Sequence, residues 1–152
     1  MSTTDGLERR VRRLEDTLAL HDLIVEYGLA ADAGDGTALS EMFTDDAVYE
    51  LDDLRLEGRE QIVSTILTQR GNASVVASAH TMGPVVVTVL GDRGFARGYS
   101  RLYVRQDDDS VILWRLSFNR WEFVRVADGS WRIARRFTRL IGEDSAASLL
   151  RR

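Results

Sequence analysis

The sequence predicts an α+β fold, a cone-shaped barrel in which a strongly bent antiparallel or mixed sheet wraps N-terminal helices. Three observations predict it. Residues 7–33 carry apolar side chains at helical spacing, with Glu and Arg between them. In the second half the chain turns rich in β-branched and aromatic residues, punctuated by the turn signals "GDRG", "QDDDS" and "ADGS". Helices come first and long meandering strands follow, which is the order of an α+β fold. At 152 residues the chain fits one domain, 1–152, able to bury roughly 70% of its unfolded surface.

Taken in order, Leu7, Val11, Leu14 and Leu18, then Leu23, Ile24, Tyr27 and Ala31, predict one long helix, or two in line with a break near Leu20. "GDG" ends it, because glycine supplies the positive φ that a helix C-terminus often uses. A short helix follows over Thr37 to Phe43, with Thr37 as N-cap, and "TDDAVYEL" turns into a strand. "EGREQIVSTILTQR" has Ile62, Val63, Ile66 and Leu67 on one side and reads as an amphipathic helix. "SVVASAH", "PVVVTVLG", "GFARGYSRLYVR", "SVILWRLSFNRWEFVRVADG" and "SWRIARRFTRLIG" read as strands joined mostly by hairpins. The tail, residues 143–152, is a loose end or a small docking helix. A bent sheet closed by helices leaves a mostly apolar pocket of the kind that holds a small molecule.

Composition removes several classes of function. Without cysteine there are no disulfides, zinc–thiolate sites or cysteine nucleophiles. All twenty basic residues are arginine, so no lysine Schiff base can form. A net charge of −4, with the arginines scattered along strands, argues against nucleic-acid binding. No apolar run spans a bilayer, and the first residues lack the apolar core of a secretion signal, so a cytoplasmic protein without membrane contact is expected. His21 and His80 are the two histidines, too few for a histidine-rich metal site, and no metal or other cofactor is expected.

Five segments in order, "LHDLIVEYGLAADAGD", "LSEMFTDDAVYE", "LEGREQIVSTI", a histidine before a strand ending "VLGD", and "DGSWRIARRFTRL", resemble the SnoaL-like branch of the nuclear transport factor 2-like superfamily. The resemblance implies the cone-shaped α+β fold. It also implies candidate residues, because the scytalone dehydratase, lindane dehydrochlorinase and bile-acid 7α-dehydratase members use an aspartate ending the first helix and a histidine opening a strand. The matching positions are Asp32 and His80. The bile-acid dehydratases add a tyrosine five residues before the aspartate, here Tyr27. Their last-strand arginine maps most nearly to Arg139, and a second tyrosine to Tyr49. Arg135, Phe137 and Arg139 alternate with Trp131 and Ile133, so Phe137 is expected on the substrate-binding face with Arg139.

This chemistry needs a base that works near neutral pH, which an imidazole supplies, and a carboxylate that fixes its tautomer and stabilises the imidazolium. A tyrosine O–H or a guanidinium would hold developing negative charge. Each residue has a plainer role open to it: Asp32 as a turn former, His80 as a half-buried histidine, Tyr27 as packing, Arg139 as a surface ion pair. The function expected is a cofactor-independent lyase or isomerase, dehydratase-like, acting on a small hydrophobic cyclic metabolite such as a polyketide or steroid. The alternatives are a SnoaL-type cyclase with Asp32 as base and a non-catalytic binding or assembly module. The apolar stripe Leu7–Leu18 and outward aromatics among Trp114, Phe118 and Trp121 predict a homo-oligomer, with the trimer implied by the resemblance ahead of a dimer.

Overall fold

The computed structural model describes residues 3–70 and 77–151. The start of the expected strand at residues 74–76 lies outside the described residues.

Helix α1 (Thr3–Ala33) is continuous, with no break at Leu20, which is fully buried. Leu20, Ile24, Tyr27 and Ala31 follow the helical repeat and face the core, while Leu7, Val11, Leu14 and Leu18 are exposed. Gly34, at φ 70°, ends the helix. The Asp35 N–H bonds the Ala30 carbonyl at 2.9 Å and the Gly34 N–H bonds that of Ala31 at 3.2 Å, a Schellman closure. Helix α2 (Gly36–Met42) begins a residue earlier than expected, and its N-cap is Asp35, not Thr37: the Asp35 carboxylate accepts the Ala38 N–H at 2.9 Å.

Strands β1 (Phe43–Leu51) and β2 (Leu54–Glu57) lead into helix α3 (Arg59–Arg70). The long strands β3 (Ala77–Leu90), β4 (Arg93–Arg105), β5 (Val111–Arg125) and β6 (Trp131–Leu140) follow. The six form one mixed sheet in the order β2-β1-β6-β5-β4-β3, with only β1 and β6 parallel. "SVVASAH" and "PVVVTVLG" were expected as two strands; they join in β3, whose pairing shifts between Met82 and Val85. The tail ends in a 3-10 helix, Ala146–Leu150, docked through buried Ala146. Among the described residues no helix is long and apolar enough to cross a membrane.

Leu20, Ile24, Leu39, Phe43, Ile62, Trp121, Phe123 and Ile133 fill the core. Trp121 stacks on Phe123, with ring centres 6.1 Å apart. The sheet does not close. Its concave face, the last turns of α1 and helix α3 enclose a cavity of about 750 Å³.

Two bulges set what that cavity sees. On β6, Ile133 pairs with Phe123 but Arg135 pairs with Glu122, so Ala134 is an extra residue. Trp131 and Ile133 are buried before it, Arg136 and Thr138 after it: the inward phase changes from odd to even. On β5, Leu102 of β4 faces Arg115 while Tyr103 faces Leu113, which leaves Trp114 as the extra residue. Trp114 lines the cavity mouth and is 63% exposed, whereas Trp121 is fully buried.

Candidate active site

Asp32 lies on the last turn of α1 and His80 on β3, and the structure brings them together. The Asp32 Oδ1 stands 2.6 Å from His80 Nδ1, and Oδ2 accepts the His80 backbone N–H at 2.6 Å. Ser78, two residues earlier on the same face of β3, donates its hydroxyl to Oδ1 at 3.3 Å. Both carboxylate oxygens are therefore engaged by β3. An ionised carboxylate only accepts, so Nδ1 carries the proton and Nε2 is left as the ring nitrogen able to take one. His80 lines the cavity; Asp32 stands behind it.

Arg136 is 3% exposed, and in register it sits between Tyr49 on β1 and Trp121 on β5. Its guanidinium lies 4.2 Å from the Trp121 ring centre, 4.4 Å from that of Tyr27 and 4.9 Å from that of Tyr49. A desolvated cation over aromatic faces is attracted to each ring quadrupole. Asn119, fully buried, accepts Arg136 Nη2 at 3.0 Å and Nε at 3.3 Å. Among the described residues no carboxylate pairs with Arg136, and its Nη1 is buried without a hydrogen-bond partner. Arg136 thus adds an uncompensated positive charge to a wall in which no Asp or Glu appears among the lining residues. Burial pushes the Tyr27 phenol well above its ordinary range, against the pull of Arg136. Tyr27 therefore stays protonated.

Tyr27, Tyr49 and His80 line this cavity, whereas Arg139 and Phe137 do not. The bulge at Ala134 is the reason, since it turns residues 135, 137 and 139 to the outer face. There Arg139 Nη2 pairs with Glu50 Oε2 at 2.7 Å. The inward arginine of the last strand is Arg136. At the cavity rim Asp52 clamps Arg115 through both oxygens at 2.8 Å and accepts the Leu140 N–H. Among the described residues no three metal-ligating side chains converge.

The SnoaL-like domain pattern matches residues 12–137 of the chain. The chain belongs to the SnoaL-like family. An uncharacterized Mycobacterium tuberculosis protein, Rv2910c, is 32% identical to this SnoaL-like chain over 130 residues, 83% of this chain and 86% of the relative. An NTF2-like protein with a cystatin-like fold from Novosphingobium aromaticivorans is 35% identical and superposes with a TM-score of 0.86 over 100% of this chain and 99% of that one. A proposed dehydratase of the NTF2-like family from Streptomyces avermitilis shares the fold at 16% identity, with a TM-score of 0.70 over 84% of this chain and 96% of its own. The SnoaL-like chain thus has the nuclear transport factor 2-like architecture.

Sequence reasoning passed over Arg136, Asn119, Ser100 and Ser117, all buried polar residues around this SnoaL-like cavity. Ser117 and Asn119 did carry a signal: two small polar residues on the apolar phase that continues through Trp121 and Phe123.

Proposed function

We propose that the chain is a cofactor-independent, dehydratase-like lyase or isomerase acting on a small, largely hydrophobic cyclic compound. One observation carries this reading: His80 faces the cavity with Nδ1 tied to Asp32, so Nε2 is the group placed to take a proton from a ligand. In the proposed step the C–H bond beside a carbonyl breaks, its proton goes to Nε2, and its electron pair moves toward the carbonyl oxygen. The Arg136 charge stabilises that oxygen. The pair then returns to form the C=C bond as the β C–O bond breaks. The leaving hydroxyl takes the proton back from the imidazolium and departs as water. Asp32 stabilises the imidazolium between the two transfers.

The same geometry weighs against Asp32 as the base of a cyclase, since both its oxygens are already engaged by β3. The test is a panel of cyclic β-hydroxy ketones, with enone formation followed by ultraviolet absorbance. His80→Ala should lower turnover by about a hundredfold or more, the scale of a positioned general base, and Asp32→Asn should also lower it steeply. Loss with Asp32→Asn but tolerance of His80→Ala would favour the cyclase. No reaction that depends on either residue would leave a binding module.

The exposed side chains Leu7, Leu14, Leu18 and Trp114 further support a homo-oligomer; the trimer is put ahead of a dimer on the family resemblance alone. Light scattering at micromolar concentration tests it, and a monomer would refute it.

A further inference from the structure

Ser100 and Ser117 are direct partners across β4 and β5, and both line the cavity while only 7% and 1% exposed. Opposed residues on one sheet face hold their Cβ atoms about 4.5–5.5 Å apart, so the two hydroxyls share one small area of wall. Each accepts a hydrogen bond from a group that can only donate there. Arg115 Nε donates to Ser117 Oγ at 2.6 Å. Asn119 Nδ2 donates to Ser100 Oγ at 2.7 Å. The Asn119 amide has one orientation, because its Oδ1 accepts from Arg136 and a guanidinium has no acceptor to offer a reversed amide.

A serine hydroxyl carries one proton, which cannot point back along a bond it is accepting. Among the described residues neither proton has a protein acceptor. Both are thus available to whatever occupies the cavity. Behind each stands a cation: Arg115, paired with Asp52, behind Ser117, and Arg136 behind Ser100 through Asn119. Hydrogen bonds in such chains polarise one another. Arg136 is enclosed, and Ser100 carries its influence to the cavity surface.

We propose that Ser100 and Ser117 form an oxygen-recognition subsite for a proton-free ligand oxygen, a ketone carbonyl or a carboxylate, so that the substrate class is cyclic compounds bearing such an oxygen. A group that only donates, such as an ammonium, would leave both hydroxyl protons unpaired. His80 pairs with Leu102, two residues from Ser100 on the same face. Such diagonal neighbours stand about 7–8 Å apart, a span that one six-membered ring with its oxygen bridges. The inference rests on the cavity being the substrate site and deepens that reading, but the binding it describes needs no chemistry at His80.

The test compares 1-tetralone with tetralin, the same bicycle without the oxygen, by protein-observed NMR titration, with the infrared carbonyl stretch of bound tetralone as a second readout. Tetralone should bind about tenfold more tightly, the scale of one or two polarised hydrogen bonds. The double variant Ser100→Cys with Ser117→Cys keeps nearly the same volume and donates only weakly. It should bring the affinity ratio close to one and return the carbonyl stretch to higher frequency. His80→Ala should keep the tetralone preference while losing enone formation. Equal affinities in the parent, no tetralone binding at millimolar concentration, or an unchanged ratio and stretch in the double variant would each overturn the proposal. A retained preference in a protein that forms no enone leaves the subsite standing and removes the dehydratase reading instead.

Discussion

Gly28 is packed directly against His80: a Cβ placed on Gly28 would lie 3.1 Å from the His80 carbonyl oxygen and 3.3 Å from its Cβ. Gly28 sits one turn before Asp32 on α1. The bare backbone lets β3 approach the helix closely enough for the His80 N–H to reach the carboxylate. Gly28→Val should therefore destabilise the protein by about 1–3 kcal/mol, the usual cost of overpacking, and disturb the Asp32–His80 bond as well. Gly6, on the same helix with nothing within 4 Å of its added Cβ, is the control: Gly6→Ala should be neutral or stabilise by up to about 1 kcal/mol. Thermal denaturation of both variants checks the contrast, and equal effects would remove the packing explanation.

The Asp32–His80 geometry predicts one neutral tautomer. Nitrogen-15 NMR of His80 should show the proton on Nδ1 and a bare Nε2. Asp32→Asn, whose amide can also donate, should shift the tautomer balance. A parent protein with its proton on Nε2 would contradict the proposed base.

Arg136 should separate stability from activity. Among the described residues no carboxylate pairs with its buried charge, so Arg136→Met trades a desolvated cation for an apolar side chain of similar length. The melting temperature is expected to hold or rise, while turnover of an active β-hydroxy ketone falls by about 100-fold or more. A loss of several kcal/mol of stability would show that the guanidinium is needed for the fold.

The rim carboxylates predict an acid limb in the stability profile. The Arg115 hydrogen bond holds the Asp52 carboxyl below its ordinary range, helped by the Leu140 N–H, and Arg139 does the same for Glu50, with Arg55 adding to it. Both groups bind protons less readily folded than unfolded. Their stabilisation is thus fully present above the unfolded values, about 3.9 for Asp and 4.3 for Glu, and is lost as pH falls through the lower folded values. Both are partly exposed, so the effect is modest. Asp52→Asn should cost about 1–2 kcal/mol at neutral pH and flatten the profile below about pH 4. Denaturant melts at pH 7, 4 and 3 read both effects.

The helices and strands were legible because apolar side chains repeat every 3.6 or 2 residues, and burial follows those repeats in the second half of α1 and from Ser117 to Phe123 of β5. Asp32 and His80 were legible through the order of five weak motifs. Thr37 displaced Asp35 as the expected cap because both side chains can cap and only the backbone path separates them. Arg139 was favoured because the family's last-strand arginine maps most nearly to it, and nothing in "WRIARRFTRL" marks the surplus residue that turns it outward and Arg136 inward. A bulge is decided by how the strand pairs with β5 and β1, which local sequence does not contain.

Ala134 changes the count along β6 without changing which side chains face the cavity. Deleting it would remove the bulge yet keep Ile133, Arg136 and Thr138 on the inner face, because Arg135 would then follow Ile133 directly and stay opposite Glu122. The aromatic cage would keep its cation, and the Asn119 carbonyl its partners. A relative lacking this residue would carry its inward arginine one position nearer to Ile133, a correspondence that residue-by-residue comparison keeps only when the gap is placed at Ala134.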